Sequence, residues 1–165
     1  MADTPTKTLP ATTSEPRPRT DGMKVRLSTL WVFAAVNYIY CDVLGIMDPE
    51  NFHDLAKGQI AGVDVTQSFL LGSAILLEIP FAMIFLSRLL EYRVNRWANV
   101  AAGAIMTVVQ FGSVFVGGGS PAYYIFFSAI EIAATLAIVW FALHWRALDA
   151  AAVAAARSRP RMLGR

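Results

Sequence analysis

Residues 69–90 read FLLGSAILLEIPFAMIFLSRLL, and this stretch decides the fold. It has the length that an α-helix needs to cross about 30 Å of hydrocarbon, and Glu78 is the only charge in it before Arg88. Backbone N–H and C=O groups in lipid must pair within their own segment, so a helix is the expected form. The stretch therefore predicts a membrane-spanning helix.

Three further apolar stretches of similar length surround this one. Together the four predict an all-α fold, an integral membrane four-helix bundle with antiparallel up-down topology. The predicted helices cover about 27–47, 69–90, 97–116 and 123–145, within a transmembrane domain of residues 27–146. Residues 1–26 are rich in Thr, Pro and charge, which predicts a disordered cytoplasmic segment. Residues 147–165 are predicted to form a basic cytoplasmic tail.

Composition supports a membrane setting and excludes several classes of function. The chain is 56% hydrophobic and 16% charged, against about 25% charged in soluble domains. Its single cysteine, Cys41, excludes an internal disulfide and a Cys-x-x-Cys redox site. No nucleophile motif, phosphate loop or zinc-ligand spacing is present. We therefore expect no catalytic residue, no metal site and no cofactor, and enzymatic activity is not favoured.

Basic residues predict which side of the membrane each connection occupies. Thirteen of the fourteen Lys and Arg residues lie before the first stretch, in the segment 88–96 where the second stretch ends and the third begins, or after the fourth. Lys57 is the exception. Since basic residues stay in the cytoplasm, both termini are predicted to be cytoplasmic, and nucleic acid is not an expected partner. Arg88, Arg93 and Arg96 serve as topology anchors or bind acidic lipid headgroups.

The link between the first two stretches contains a helix-start signal. Asp48 is a typical N-cap residue, Pro49 suits the first helical position, and Gly58 suits a helix stop. We predict a short helix over residues 49–57, with Phe52 and Leu55 turned toward the membrane or the bundle.

Three acids, Asp42, Glu78 and Glu131, fall inside the predicted spans. Ionisable groups are costly there, and no Lys or Arg lies at the same depth. We expect Glu78 and Glu131 to face a shared interior, with at least one of them protonated near neutral pH. Polar side chains at helical spacing are predicted to join the acids in one intramembrane site: Asn37, Tyr38, Gln110 and Ser128.

Two functions follow from these residues, and the sequence leaves both open. In the first, the buried acids bind or transport protons or a small solute, and four helices are few enough that a homo-oligomer is expected. In the second, the protein is structural or accessory, packs against a partner membrane protein, and uses its acids as interhelical contacts. A membrane enzyme acting on a lipid or quinone has the least support.

Several motifs resemble one family of small bacterial membrane proteins. They are LSTLW at 27–31, YCDVL at 40–44, EIP at 78–80 and YRVNRWAN at 92–99. That family is catalogued as a domain of unknown function with four predicted membrane helices, and the resemblance covers about residues 23–146. It implies the four-helix architecture and a location in the bacterial inner membrane. It implies no activity.

Overall fold

The computed structural model describes the backbone of residues 20–116 and 120–157, and the side chains of residues 22–116 and 120–146. The prediction of an all-α fold is confirmed, apart from one two-stranded hairpin. The elements are α1 (Thr20–Met47), α2 (Pro49–Ala56), β1 (Gln59–Ile60), β2 (Val63–Asp64), α3 (Gln67–Leu89), α4 (Tyr92–Ser113) and α5 (Ala122–Arg157). Most of the predicted disordered segment, the three glycines at 117–119 and the end of the tail lie outside the described residues.

Among the described residues, three helices are long and apolar enough to cross a membrane. They are α1 over Gly22–Met47, α3 over its whole length, and α5 over Ala122–Arg146. Helix α4 is of similar length but more polar, because its buried residues include Asn95, Asn99 and Gln110. The three apolar helices support membrane insertion, and the crossing by α4 stays a prediction.

The four long helices contact one another in the cyclic order α1, α3, α4, α5. Bulky side chains with no exposed surface fill the space between them, including Leu27, Trp31, Ile138 and Trp145. Large apolar residues also cover the outside of these helices. This arrangement is typical of a protein whose solvent is lipid, because lipid does not penalise an apolar exterior.

Two helices begin earlier than the sequence predicted. Helix α1 begins at Thr20, so the predicted disorder of residues 20–26 is wrong. Met23 and Leu27 are both buried in the core, and their packing extends the helix into the charged segment. Helix α4 begins at Tyr92 instead of residue 97, because Asn95 is a buried part of its interior face.

The predicted link helix is confirmed as α2. The Asp48 side chain accepts a hydrogen bond from the backbone N–H of Glu50 at 3.0 Å, and Pro49 occupies the first turn. Helix α2 has no buried residue, so Phe52 and Leu55 do not pack into the core. Their exposure suits the interface between lipid and water, where an amphipathic helix lies on the membrane surface.

The hairpin β1–β2 follows α2 and was not predicted. Its two-residue turn has positive φ at both Ala61 (50°) and Gly62 (76°), the geometry of a type I′ turn. That turn usually carries Asn-Gly or Gly-Gly, so Ala-Gly gave a weak sequence signal. Gly58, also at positive φ (81°), ends the α2 segment and starts the hairpin.

Helices α4 and α5 approach each other closely at Gly103. A Cβ atom added there would lie 2.7 Å from Cγ2 of Val139 and 3.2 Å from the backbone oxygen of Thr135. The oxygen belongs to a helix backbone, so α5 itself would have to shift. Small residues at such crossings let helices pack in membranes.

We predict that Gly103→Ala lowers the free energy of unfolding by about 1–3 kcal/mol, as overpacked cores do. The matched control is Gly72→Ala, because a Cβ at that helical position meets nothing within 4 Å. Denaturant titration in detergent micelles, followed by helical circular dichroism, measures both variants. Equal stability of the two variants would contradict the close approach of α4 and α5.

Candidate functional site

The long helices have two distinguishable ends. We call the end that carries Arg88, Arg93, Arg96 and Arg146 the basic end, and the end that carries α2 and the hairpin the loop end. Polar side chains are buried between the helices near both ends, in two separate groups with different hydrogen bonding.

The group at the basic end is centred on Asn99, which is fully buried. Its Oδ1 atom accepts hydrogen bonds from Nε1 of Trp31 (2.8 Å) and from Oγ of Ser87 (3.2 Å). Its Nδ2 atom donates to Asn95, at 2.9 Å to the backbone oxygen and 2.6 Å to Oδ1. Asn95 in turn donates to the backbone oxygen of Ser87 at 2.6 Å. These bonds join α1, α3 and α4, and they satisfy both amides.

The sequence analysis did not identify Asn95 and Asn99 as site residues. They appeared only inside the motif YRVNRWAN, and Trp31 only inside LSTLW. Their four-residue spacing places both amides on one helix face, which was the available signal. The structure gives these motif residues a common role, since together they hold three helices at the basic end.

The group at the loop end is centred on Glu131 of α5. This residue is 1% exposed, and neither carboxyl oxygen has a hydrogen-bond partner among the described residues. The Tyr38 hydroxyl of α1 is likewise buried without a partner among them. Buried polar atoms are nearly always paired. Tyr92 Oη, Arg96 Nε and Trp145 Nε1 near the basic end are also buried without a partner among the described residues, but Glu131 is the one carboxyl group in this set.

Ionisable side chains surround Glu131 from α1 and from its own helix. Tyr38, Cys41, Asp42 and Tyr124 are near enough to interact with it electrostatically. None of these four is a cation at neutral pH. Among the described residues, these neighbours therefore supply no positive charge to pair with the Glu131 carboxyl group.

Gln110 and Ser128 form a direct pair beside this carboxyl. Nε2 of Gln110 in α4 donates to Oγ of Ser128 in α5 at 2.8 Å, and both residues are buried. Ser128 lies one helical turn from Glu131 on the same face. The Tyr124 hydroxyl donates a hydrogen bond to Oγ of Ser113 at 2.7 Å. The nearby polar groups thus pair with one another and leave the Glu131 carboxyl open.

Two predicted site residues do not join this group. Glu78 is exposed on the outside of α3, so the expectation that it faces a shared interior with Glu131 is corrected. The face of α3 that packs inward instead carries Pro80, Met83 and Ser87. Asn37 is half-buried, and its Nδ2 atom donates to the backbone oxygen of Phe33 in its own helix at 2.8 Å.

The three arginines differ in their contacts. Arg88 is exposed, and its Nε donates to Oγ of Ser28 at 3.2 Å. Arg96 donates from Nη2 to the backbone oxygen of Leu143 at 3.1 Å, which links α4 to α5. Arg93 is exposed at the start of α4. Arg88 and Arg96 therefore bridge helices, and the lipid-anchoring role stays a prediction for all three.

The chain belongs to DUF6326, a family of unknown function whose model matches residues 19–152. This range includes α1 to α4, the hairpin and most of α5, so both polar groups lie inside the family region. No curated protein and no solved structure matches the chain. The resemblance to an uncharacterised family is confirmed, and function has to be argued from the site.

We predict that Asn99→Ala lowers the free energy of unfolding by about 1–3 kcal/mol, because the indole N–H of Trp31 loses its buried acceptor. The control is Asn37→Ala, which removes an amide bonded only within its own helix. Denaturant unfolding followed by tryptophan fluorescence compares the two variants. A loss at Asn37 as large as that at Asn99 would argue against the network.

Proposed function

We propose that this protein is a four-helix antiparallel bundle in the bacterial inner membrane that binds and transfers protons or a small cation at Glu131. The observation that carries the proposal is a fully buried carboxyl group that has no hydrogen-bond partner within the described part of the chain. An ionised acid at this depth in a bilayer costs free energy, and such residues in membrane proteins commonly mark ion pathways.

The two buried asparagine amides at the basic end contrast with this carboxyl group, although Tyr92 Oη, Arg96 Nε and Trp145 Nε1 at that end are also buried without a partner among the described residues. At the basic end the side-chain amides of Asn95 and Asn99 are both hydrogen-bonded, as expected for a structural network. At the loop end Glu131 and the Tyr38 hydroxyl are left open. A carboxyl that serves only as an interhelical contact would be expected to bond across helices, as Gln110 does with Ser128.

Asp42 supplies the approach from the loop end. It lies about 8 Å from the end of α1, whereas Glu131 lies about 14 Å from the start of α5. Asp42 is exposed, and it lies near enough to Glu131 for the two carboxyl groups to interact electrostatically. A cation or proton arriving at the loop end would therefore meet Asp42 first, and its negative charge would draw that ion inward.

The second candidate is a structural or accessory role beside a partner membrane protein. One observation favours it, the exposed acid Glu78 on the outer surface of α3. In that role Glu131 would be a packing contact. Nucleic acid is not a partner under either proposal, and the lipid bilayer is the solvent under both.

We predict that purified protein in lipid vesicles carries protons under an imposed membrane potential, and that Glu131→Gln abolishes this flux. The neutral amide keeps the size of the side chain but cannot release a proton. Asp42→Asn should slow the flux without abolishing it. The dye-monitored pH inside the vesicles gives the rate. The matched control is Glu78→Gln, the same change at an acid outside the site, which should conduct as the wild type does.

A wild-type rate no faster than that of protein-free vesicles would contradict the transfer role, and so would full activity of Glu131→Gln. Under the structural alternative, Glu131→Gln is silent in every assay while Glu131→Leu loosens the bundle. The proton flux of the wild type therefore separates the two functions, and the unfolding of Glu131→Leu measures the packing contribution of this side chain.

We also predict the sidedness. The proposal of four crossings with both termini in the cytoplasm comes from the thirteen basic residues outside the α1–α3 link. A reporter that is active only in the cytoplasm should work when fused after Arg165 and fail when inserted at Gly58. Activity at Gly58 would overturn the four-crossing topology.

A further inference from the structure

The most exposed face of α3 is centred on Glu78. At about 100° per residue, Leu71 and Phe85 lie within about 20° of Glu78 around the helix axis, and Ile75 within about 60°. Leu71 is 64% exposed and Phe85 69% exposed. The buried residues Pro80, Met83 and Ser87 lie about 140–200° away. Glu78 therefore points away from the other helices.

Glu78 also lies midway between the two ends of α3, Gln67 and Leu89. Facing lipid there as an ion costs at least about 2.5–3.5 kcal/mol on insertion scales. The basic residues with described side chains lie toward the helix ends, so that part of the chain offers no cation at this depth. An acid so placed needs a hydrogen-bonding partner from outside the chain.

We propose that the Glu78 face of α3 is covered by a second copy of this chain, and that the two Glu78 carboxyl groups pair across the interface. A two-fold axis along the membrane normal brings both acids to the same depth. A carboxyl pair that holds a proton contains both a donor and an acceptor, so each side chain satisfies the other. Two-fold interfaces of this kind use the same patch on both copies.

Small residues beside Glu78 permit the close approach that this pairing requires. Ala74 and Ala82 lie one turn before and one turn after Glu78, each within about 40° of it around the axis. Small side chains at such positions let the backbones of membrane helices come together. The apolar residues Leu71 and Phe85 then pack above and below the acid pair.

This interface is independent of the proposed site at Glu131. Glu78 is exposed on α3, whereas Glu131 is buried and its ionisable neighbours lie on α1 and α5. A failure of dimerisation therefore leaves the flux prediction standing, and a failure of flux leaves the dimer standing.

Energy transfer between copies tests the proposal. Full-length protein carrying donor or acceptor fluorophores at the C-terminus is reconstituted in phosphatidylcholine–phosphatidylglycerol vesicles and diluted with lipid. We expect reversible dimers for the wild type and for Glu78→Gln, whose amide can still donate and accept. Glu78→Leu should weaken association about tenfold or more. Ile75→Leu, an apolar change on the same face, should leave association unchanged.

Monomeric wild-type protein at every dilution would overturn the proposal, and would leave lipid or a different membrane protein as the cover of this face. Undiminished association of Glu78→Leu would also overturn it. Circular dichroism of each variant shows that the helices remain folded.

Cysteine crosslinking tests the face without changing Glu78. In a Cys41→Ala background, Leu71→Cys is compared with Leu70→Cys, since both leucines are exposed (64% and 47%) but Leu70 lies about 80° from Glu78. Oxidation in membranes should crosslink copies through residue 71 and not through residue 70. Equal crosslinking, or none at residue 71, would contradict the interface.

Discussion

The structure depends on one constraint, which is that polar groups inside hydrocarbon must find their partners within the protein. At the basic end the Asn99 amide meets this constraint by binding Trp31, Ser87 and Asn95 from three helices. The bonds fix how α1, α3 and α4 meet. Water cannot replace a lost partner there, so this network gives the apolar helices a defined geometry that apolar packing in lipid does not supply by itself.

The same constraint distinguishes two acidic residues, Glu131 and Glu78. Glu131 is buried among the helices without a hydrogen-bond partner among the described residues, and Glu78 is exposed on the outer face of α3. Each carboxyl group still needs a partner, but the two need partners of different kinds. Glu131 can be satisfied by a proton or a small cation that enters the protein, and Glu78 by a group on another chain. The proposed function and the proposed assembly thus depend on separate residues.

The sequence predicted the helices well because a membrane span leaves a strong signal of length and hydropathy. It also predicted α2, since Asp48, Pro49 and Gly58 act through local backbone geometry. Some of the residues predicted to share one site lie close together, and their functional role stays a prediction. Gln110 and Ser128 meet as neighbours, and Tyr38 and Asp42 lie near Glu131. The orientation of Glu78 could not be predicted, because a single acid in an apolar helix does not reveal which face packs inward. The structural role of Asn99 depends on Trp31, 68 residues away in the chain, and no local pattern encodes that contact.

The proposed function requires that Glu131 is an interior acid that holds an exchangeable proton. This can be measured by infrared difference spectroscopy of wild-type protein minus Glu131→Gln in hydrated membranes at neutral pH. We expect a C=O stretching band of a protonated carboxylic acid that is absent from the variant and shifts on transfer to D₂O. A difference spectrum that contains only carboxylate bands would show that Glu131 holds no such proton.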